Sequence, residues 1–201
     1  MYHAVADIML AHSLLAAQPG VDGKRIGLTG ISWGGVLTAE VAGVDSRFAA
    51  CVPVYGCGFL EDSEAFRPSI GKPGGARWWE LWDPSHFLPD ARAPMLWVNG
   101  TNDRFFQPDI WRSSALLAGG PRTLLMIPRM GHGHGDGRKP TEIGVFLDAV
   151  LKHGTPLAVC GEPQPGSAGV TVAVSSAVAI TAAKLKFTRD QGVESKLLST
   201  E

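Results

Sequence analysis

Between residues 2 and 154 short apolar runs alternate with stretches of helical periodicity, and few folds accept that order. Residues 2–17 place Val5, Ile8, Met9 and Leu15 on one helical face, and "QPGVDGK" ends that helix with turn residues. "RIGLTG" predicts a short buried strand, and "GGVLTAEVAG" a helix through Val36, Leu37 and Val41. "FAACVPVYG" and "APMLWVNG" predict two more strands, separated by an irregular stretch over 60–90 that holds Trp78, Trp79 and Trp82. "PDIWRSSALLAGG" reads as a helix, "RTLLMIP" as a fourth strand ending at Pro128, and "PTEIGVFLDAVLKHG" as a last helix closed by Gly154. Such alternation implies an α/β fold, a mostly parallel sheet with helices on both faces. Ligand chemistry on such sheets gathers at the carboxyl ends of the strands, so the residues just after each strand carry the functional reading.

Beyond 154 the pattern changes. Residues 155–168, "TPLAVCGEPQPGSA", read as a Pro/Gly linker, which assigns 1–154 to one domain. Residues 169–201 read as a short β-rich segment, the start of a module: "GVTVAVSSAVAITAA" is strand-like and Asp190-Gln191-Gly192 is turn-like. It is too short to build a core alone. A formal net charge of −1, with no basic cluster, argues against nucleic acid as a partner. No apolar stretch is long enough for a membrane helix, and the opening residues do not resemble a signal peptide. The three cysteines, Cys51, Cys57 and Cys160, lack the spacing of a zinc site or a disulfide frame, and Cys51 reads as a small core residue. The oligomeric state has no signature in the sequence.

Gly30-Ile31-Ser32-Trp33-Gly34 fits G-x-S-x-G, a strand-to-helix turn that lifts a serine hydroxyl out of the sheet. A Cβ at either flanking glycine is expected to collide with its neighbours. The turn aims the Trp33 N–H, at a helix start, toward an oxyanion. In a chain with 25 glycines the pattern alone is weak, and the strand before and helix after give it weight. A serine needs a base, and the base an orienting carboxylate. Asp103 follows a strand in "LWVNGTNDRFF", where it could equally be a turn aspartate bonding its own backbone. His132 follows the last strand in "LLMIPRMGHGHG", with His134 as its rival; His86 and His153 follow no strand and read as surface or packing residues. Trp33 and Tyr55, the latter at the end of the second strand, are the expected substrate contacts.

With these residues in place the chain resembles an α/β-hydrolase. "DGKRIGLTGISWGG", "WVNGTNDRF" and "MGHGHGDG…EIGVFLDAVLKHGTPL" are similar to the bacterial acetylxylan esterase and prolyl-oligopeptidase-like branch, over about residues 2–157. The resemblance implies Ser32 as nucleophile, Asp103 as acid, His132 as base and no cofactor. It favours an acetyl or acyl ester of a carbohydrate or small molecule over a peptide, and implies a secreted or periplasmic location. The departure is at the front. Full-length members place several strands, and a loop donating a second oxyanion N–H, before the serine. The expectation is a partial α/β-hydrolase fold, a fragment that is weakly active or inactive, since one such donor is commonly worth about 3 kcal/mol.

Two other classes compete. "HGHGD", His132–Asp136, has the H-x-H-x-D spacing of a metal site, although Gly137 stands where a further histidine is expected. Alternatively the chain is a non-catalytic carbohydrate-binding module or inactive fragment. Trp78, Trp79, Trp82 and Trp111 would then stack on sugar rings rather than pack a lid or core.

Overall fold

A computed structural model describes residues 1–167 and 169–187. Four parallel strands form the central sheet in sequential order: β1 (Gly27–Ile31), β2 (Ala50–Val54), β3 (Met95–Asn102) and β4 (Arg122–Gly131). Helix α1 (Tyr2–Ala16) precedes β1, and α2 (Trp33–Val44) joins β1 to β2. Between β2 and β3 lie α3 (Arg67–Ile70), α4 (Gly75–Trp82) and two single turns of 3-10 helix, Pro84–His86 and Leu88–Asp90. The segment expected to be irregular is therefore mostly short helix. Its many Gly and Pro residues interrupt any long periodicity and hide these turns from a pattern reading. Helix α5 (Pro108–Leu117) joins β3 to β4, and α6 (His134–Gly137) and α7 (Glu142–Lys152) follow.

Helices cover both faces of the sheet. Alternate residues of a strand point to opposite faces. A Cβ at Gly30 would strike the start of α2, whereas one at Gly27 would meet Leu147 and Leu151 of α7 at 3.2 Å. The central strands carry the core: all of β2 is buried, as are Met95 through Gly100 of β3. Pro53 sits inside β2 and lacks the N–H that a ladder needs. The β2–β3 register accordingly shows only two pairs, Cys51–Met95 and Val54–Val98, one on either side of it. Strand β1, expected to be buried, has Thr29 exposed, because among the described residues a neighbour pairs with it on one side only.

Several boundaries shift. Leu15 is exposed, and His12 takes the inner position of α1 together with Val5. Strand β4 does not stop at Pro128 but runs to Gly131, with Arg129 at φ 62° and the Arg129 N–H donating to Thr101 Oγ1. Helix α7 ends at Lys152, and His153 rather than Gly154 adopts the left-handed cap at φ 58°. Cys51 and Cys57 are buried and Cys160 is exposed.

The stretch expected to be a linker holds two short strands, β5 (Val159–Cys160) and β6 (Gln164–Gly166). These pair antiparallel with β8 (Val174–Ser175) and β7 (Gly169–Thr171) respectively. The single long strand expected over 169–183 is reduced to those two fragments. Its period-two valines, Val170, Val172 and Val174, are exposed, so alternation has no surface to bury against. The turn expected at 190–192 lies outside the described residues. Among the described residues no helix is long and apolar enough to cross a membrane.

Candidate active site

The site starts from a strained backbone. Ser32 lies between β1 and α2 at φ 60°, a region costly for any residue with a Cβ, and such strain persists only when the surroundings fix it. Its N–H donates to Val54 O at 3.0 Å, and its carbonyl accepts from the N–H groups of Gly35 and Val36 at 2.8 and 3.1 Å. The glycines divide the work differently from expectation. A Cβ at Gly30 would strike the Gly34 backbone, but one at Gly34 would meet nothing within 4 Å. It is Gly35 that cannot carry a side chain, since a Cβ there would lie 2.6 Å from Val54 O. Close packing of α2 on β2 thus falls one residue later than the motif suggests.

Asp103 follows β3 directly and is 4% exposed. Both readings of this residue hold, one per oxygen. Oδ1 accepts from the N–H groups of Phe105 and Phe106 at 2.8 and 3.2 Å, which is the aspartate turn. Oδ2 accepts from His132 Nδ1 at 2.9 Å. A carboxylate can only accept, so the imidazole carries its proton on Nδ1 and leaves Nε2 free to accept in turn. The Ser32 hydroxyl stands 2.7 Å from that Nε2. The structure therefore joins Ser32, His132 and Asp103 in one hydrogen-bonded chain, drawn from the ends of β1, β4 and β3. His134 is exposed, on α6, and has no part in that chain. Both nitrogens of His132 are engaged, and no group of three or more His, Cys, Asp or Glu side chains suited to a metal ion occurs among the described residues.

Trp33 opens α2, so its N–H has no intrahelical acceptor and sits at the positive end of the helix beside Ser32. The residue is 41% exposed, and its indole leans on Trp78 and Phe66 with ring centroids 5.6 and 6.1 Å away. These rings, with Leu60, Ser69 and Ile70, line an apolar hollow of about 150 Å³. A second hollow of about 290 Å³, at the β4 edge between Ile127, Arg129, Met130 and Lys139, contains none of the three bonded residues. Of the tryptophans weighed for sugar stacking, Trp111 is 2% exposed and belongs to the core, and Trp79 packs edge-on against His86.

Tyr55 is not placed to touch a substrate. It is fully buried, and its hydroxyl donates to the carbonyls of Gly131 and Gly133 at 3.2 and 3.0 Å. Its position after a strand is what suggested a ligand contact, and the ring instead points under the histidine turn. Sequence reasoning also missed the rings of Phe105 and Phe106, whose centroids lie 4.8 and 5.8 Å from the imidazole. The signal was present, since two phenylalanines follow the acid in "NDRFF".

A serine on a strained strand-to-helix turn of a parallel sheet, with an acid and a histidine delivered by later strand ends, defines the α/β-hydrolase class. The chain belongs to the prolyl oligopeptidase family, whose model matches residues 2–147. Among solved structures it is similar to an acetyl xylan esterase from Paenibacillus sp. R4, with 20% identity and a TM-score of 0.63 over 74% of this chain and 52% of that one. It is also similar to the acylaminoacyl peptidase of Pyrococcus horikoshii, with 19% identity and a TM-score of 0.62 over 74% of this chain and 28% of that one. A puromycin-hydrolyzing peptidase of Mycobacterium tuberculosis gives 23% identity and a TM-score of 0.63, covering 73% and 25% of the two chains. The chain thus spans about half the length of the esterase and about a quarter of the peptidases. No curated protein matches the sequence.

Proposed function

We propose that this chain carries the catalytic centre of a serine hydrolase that cleaves carboxylic esters through an acyl-enzyme. The observation that carries the reading is the unbroken chain Ser32 Oγ, His132 Nε2, His132 Nδ1, Asp103 Oδ2, at 2.7 and 2.9 Å, on a strained serine. His132 takes the hydroxyl proton on Nε2 as Ser32 Oγ bonds to the ester carbonyl carbon. Asp103 holds the tautomer and stabilises the imidazolium. The Trp33 N–H faces the oxyanion. As the tetrahedral centre collapses, the C–O bond to the alcohol breaks and His132 returns its proton to the leaving oxygen. Water then repeats the sequence on the acyl-enzyme.

The substrate reading draws on the hollow beside Ser32. A wall of Trp33, Leu60, Phe66, Ile70 and Trp78 suits an apolar acyl group larger than acetyl, because each buried methylene contributes about 0.8 kcal/mol. The peptide reading is carried by the family model and by the fold neighbours that are peptidases. Labelling by a fluorophosphonate tests the chemistry without requiring turnover. Label is expected on Ser32 and absent from Ser32→Ala. Label on another serine, or none on the wild type, overturns the reading. p-Nitrophenyl esters of rising acyl length, beside aminoacyl p-nitroanilides, test the substrate. Butyrate is expected to exceed acetate, and both to exceed the anilides. A preference for acetate returns the acetyl reading, and a preference for anilides returns the peptidase.

A further inference from the structure

The base sits between two glycines. Gly131 and Gly133 flank His132, and glycine leaves a backbone freer than any other residue. A general base must hold its position to within about 0.5 Å. Neither bond of the imidazole supplies that restraint throughout the reaction. The contact with Ser32 changes as the proton moves, and the contact with Asp103 orients the ring without fixing the turn that bears it.

We propose that Tyr55 is the positioning residue for His132, clamping the Gly131–Gly133 turn from beneath so that the imidazole stays between Ser32 and Asp103. This rests on the reading of Ser32, His132 and Asp103 as the reacting group. The tyrosine hydroxyl reaches both carbonyls that bracket the histidine, Gly131 O at 3.2 Å and Gly133 O at 3.0 Å. Its ring lies 4.6 Å from the imidazole, tilted by 42°. The clamp is itself anchored. The Tyr55 N–H donates to Val98 O at 2.7 Å in the core of the sheet, and its backbone is held at φ 67°. Gly137 closes over the ring, since a Cβ there would lie 3.0 Å from Tyr55 Cε2. Phe105 and Phe106 also pack on the imidazole, so aromatic rings and one shared hydroxyl proton define its seat. Burial raises the tyrosine pKa, and the hydroxyl remains a donor through the neutral range.

Tyr55→Phe keeps the ring and removes the donor, leaving two carbonyls short of a partner. In saturation kinetics of fluorophosphonate labelling, the limiting rate of reaction at Ser32 is expected to fall about 10- to 100-fold with no change in the half-saturating concentration. The low-field proton resonance of the His132 Nδ1–H, held by Asp103 in the wild type, is expected to broaden or vanish. Ser114→Ala is the control. It removes a buried hydroxyl that bonds Gly58 N–H and Ile110 O and does not touch the imidazole. Its limiting rate and low-field resonance are expected to match the wild type even where its melting temperature falls as far as that of Tyr55→Phe. An unchanged limiting rate and resonance in Tyr55→Phe would overturn the proposal, as would an equal loss of both in Ser114→Ala. Failure of the wild type to label counts against the hydrolase reading, and the resonance, which needs no reaction, still decides the role of Tyr55.

Discussion

Buried polar groups are treated in opposite ways at two places in this fold. At the carboxyl ends of the strands the buried polar groups around the histidine have partners. Both oxygens of Asp103 accept hydrogen bonds, the Tyr55 hydroxyl meets two carbonyls, and Asn99 bonds Phe106 O and Gly100 N–H. Nearby, the carboxylate of Asp83 collects the N–H groups of Phe59, Leu60 and Ser85. Where α1 packs on α2 the opposite holds. Glu40 is 1% exposed and His12 is 5% exposed, yet neither oxygen of the one nor either nitrogen of the other finds a hydrogen-bond partner among the described residues. A satisfied network fixes geometry, whereas an unsatisfied buried group costs stability without directing anything. The first region is built to hold atoms in place, and the second is where the fold stays sensitive to pH.

The largest expected effect lies in the satisfied region. Asp103→Asn preserves shape but offers the imidazole the wrong partner, and labelling of Ser32 is expected to slow by about 10³- to 10⁴-fold. A loss below tenfold would show that the carboxylate is only a turn residue, which breaks the comparison at its strongest point. Gly30→Ala comes next. Its Cβ would strike the Gly34 backbone, and a cost of about 3 kcal/mol or more is expected in denaturant melts. Gly34→Ala meets open space within α2 and is expected to be neutral or to stabilise by up to about 1 kcal/mol.

In the unsatisfied region Glu40 supplies the pH dependence. Burial pushes its carboxyl up to about 7, with the Asp83 charge adding to the shift and the amino group of Met1 opposing it. Its pKa is thus higher folded than unfolded. The stability it allows is fully present below the ordinary carboxylate range and is lost as pH rises through about 7. The loss amounts to about 3 kcal/mol at most. Urea melts across pH 4 to 9 are expected to show that decline in the wild type and a flatter profile in Glu40→Gln. Identical profiles would mean the carboxylate finds water or a partner. His12→Phe is the smallest change. It keeps an aromatic ring against Phe48, whose centroid is 4.8 Å away, and deletes two unpartnered nitrogens, so a gain of about 1 kcal/mol or less is expected.

The sheet was legible because period and punctuation agree along β2, β3 and α5, where apolar runs end at turn residues. The candidate site was legible because a strand-end rule selects few residues, and Ser32, Asp103 and His132 all obey it. What failed depends on the third dimension. Tyr55 obeys the same rule, yet the rule says nothing about which way its ring turns. Gly34 and Gly35 are equivalent on paper, and only the approach of α2 to Val54 separates them. The valines of 170–174 alternate as a half-buried strand would, but alternation states what a strand could cover and not whether a surface is there to be covered. His12 counts as polar in any pattern, so Leu15 took its place on the inner face of α1.

Each of the four central strands hands over one residue at its end: Ser32, Tyr55, Asp103 and His132. The order has a temporal consequence during synthesis. Ser32 leaves the ribosome 100 residues ahead of the histidine it meets. Throughout that interval the hydroxyl has no imidazole beside it and is an ordinary alcohol. Ser32 and His132 meet only once β4 has joined the sheet, so on the proposed reading the docking of the last strand also arms the hydroxyl.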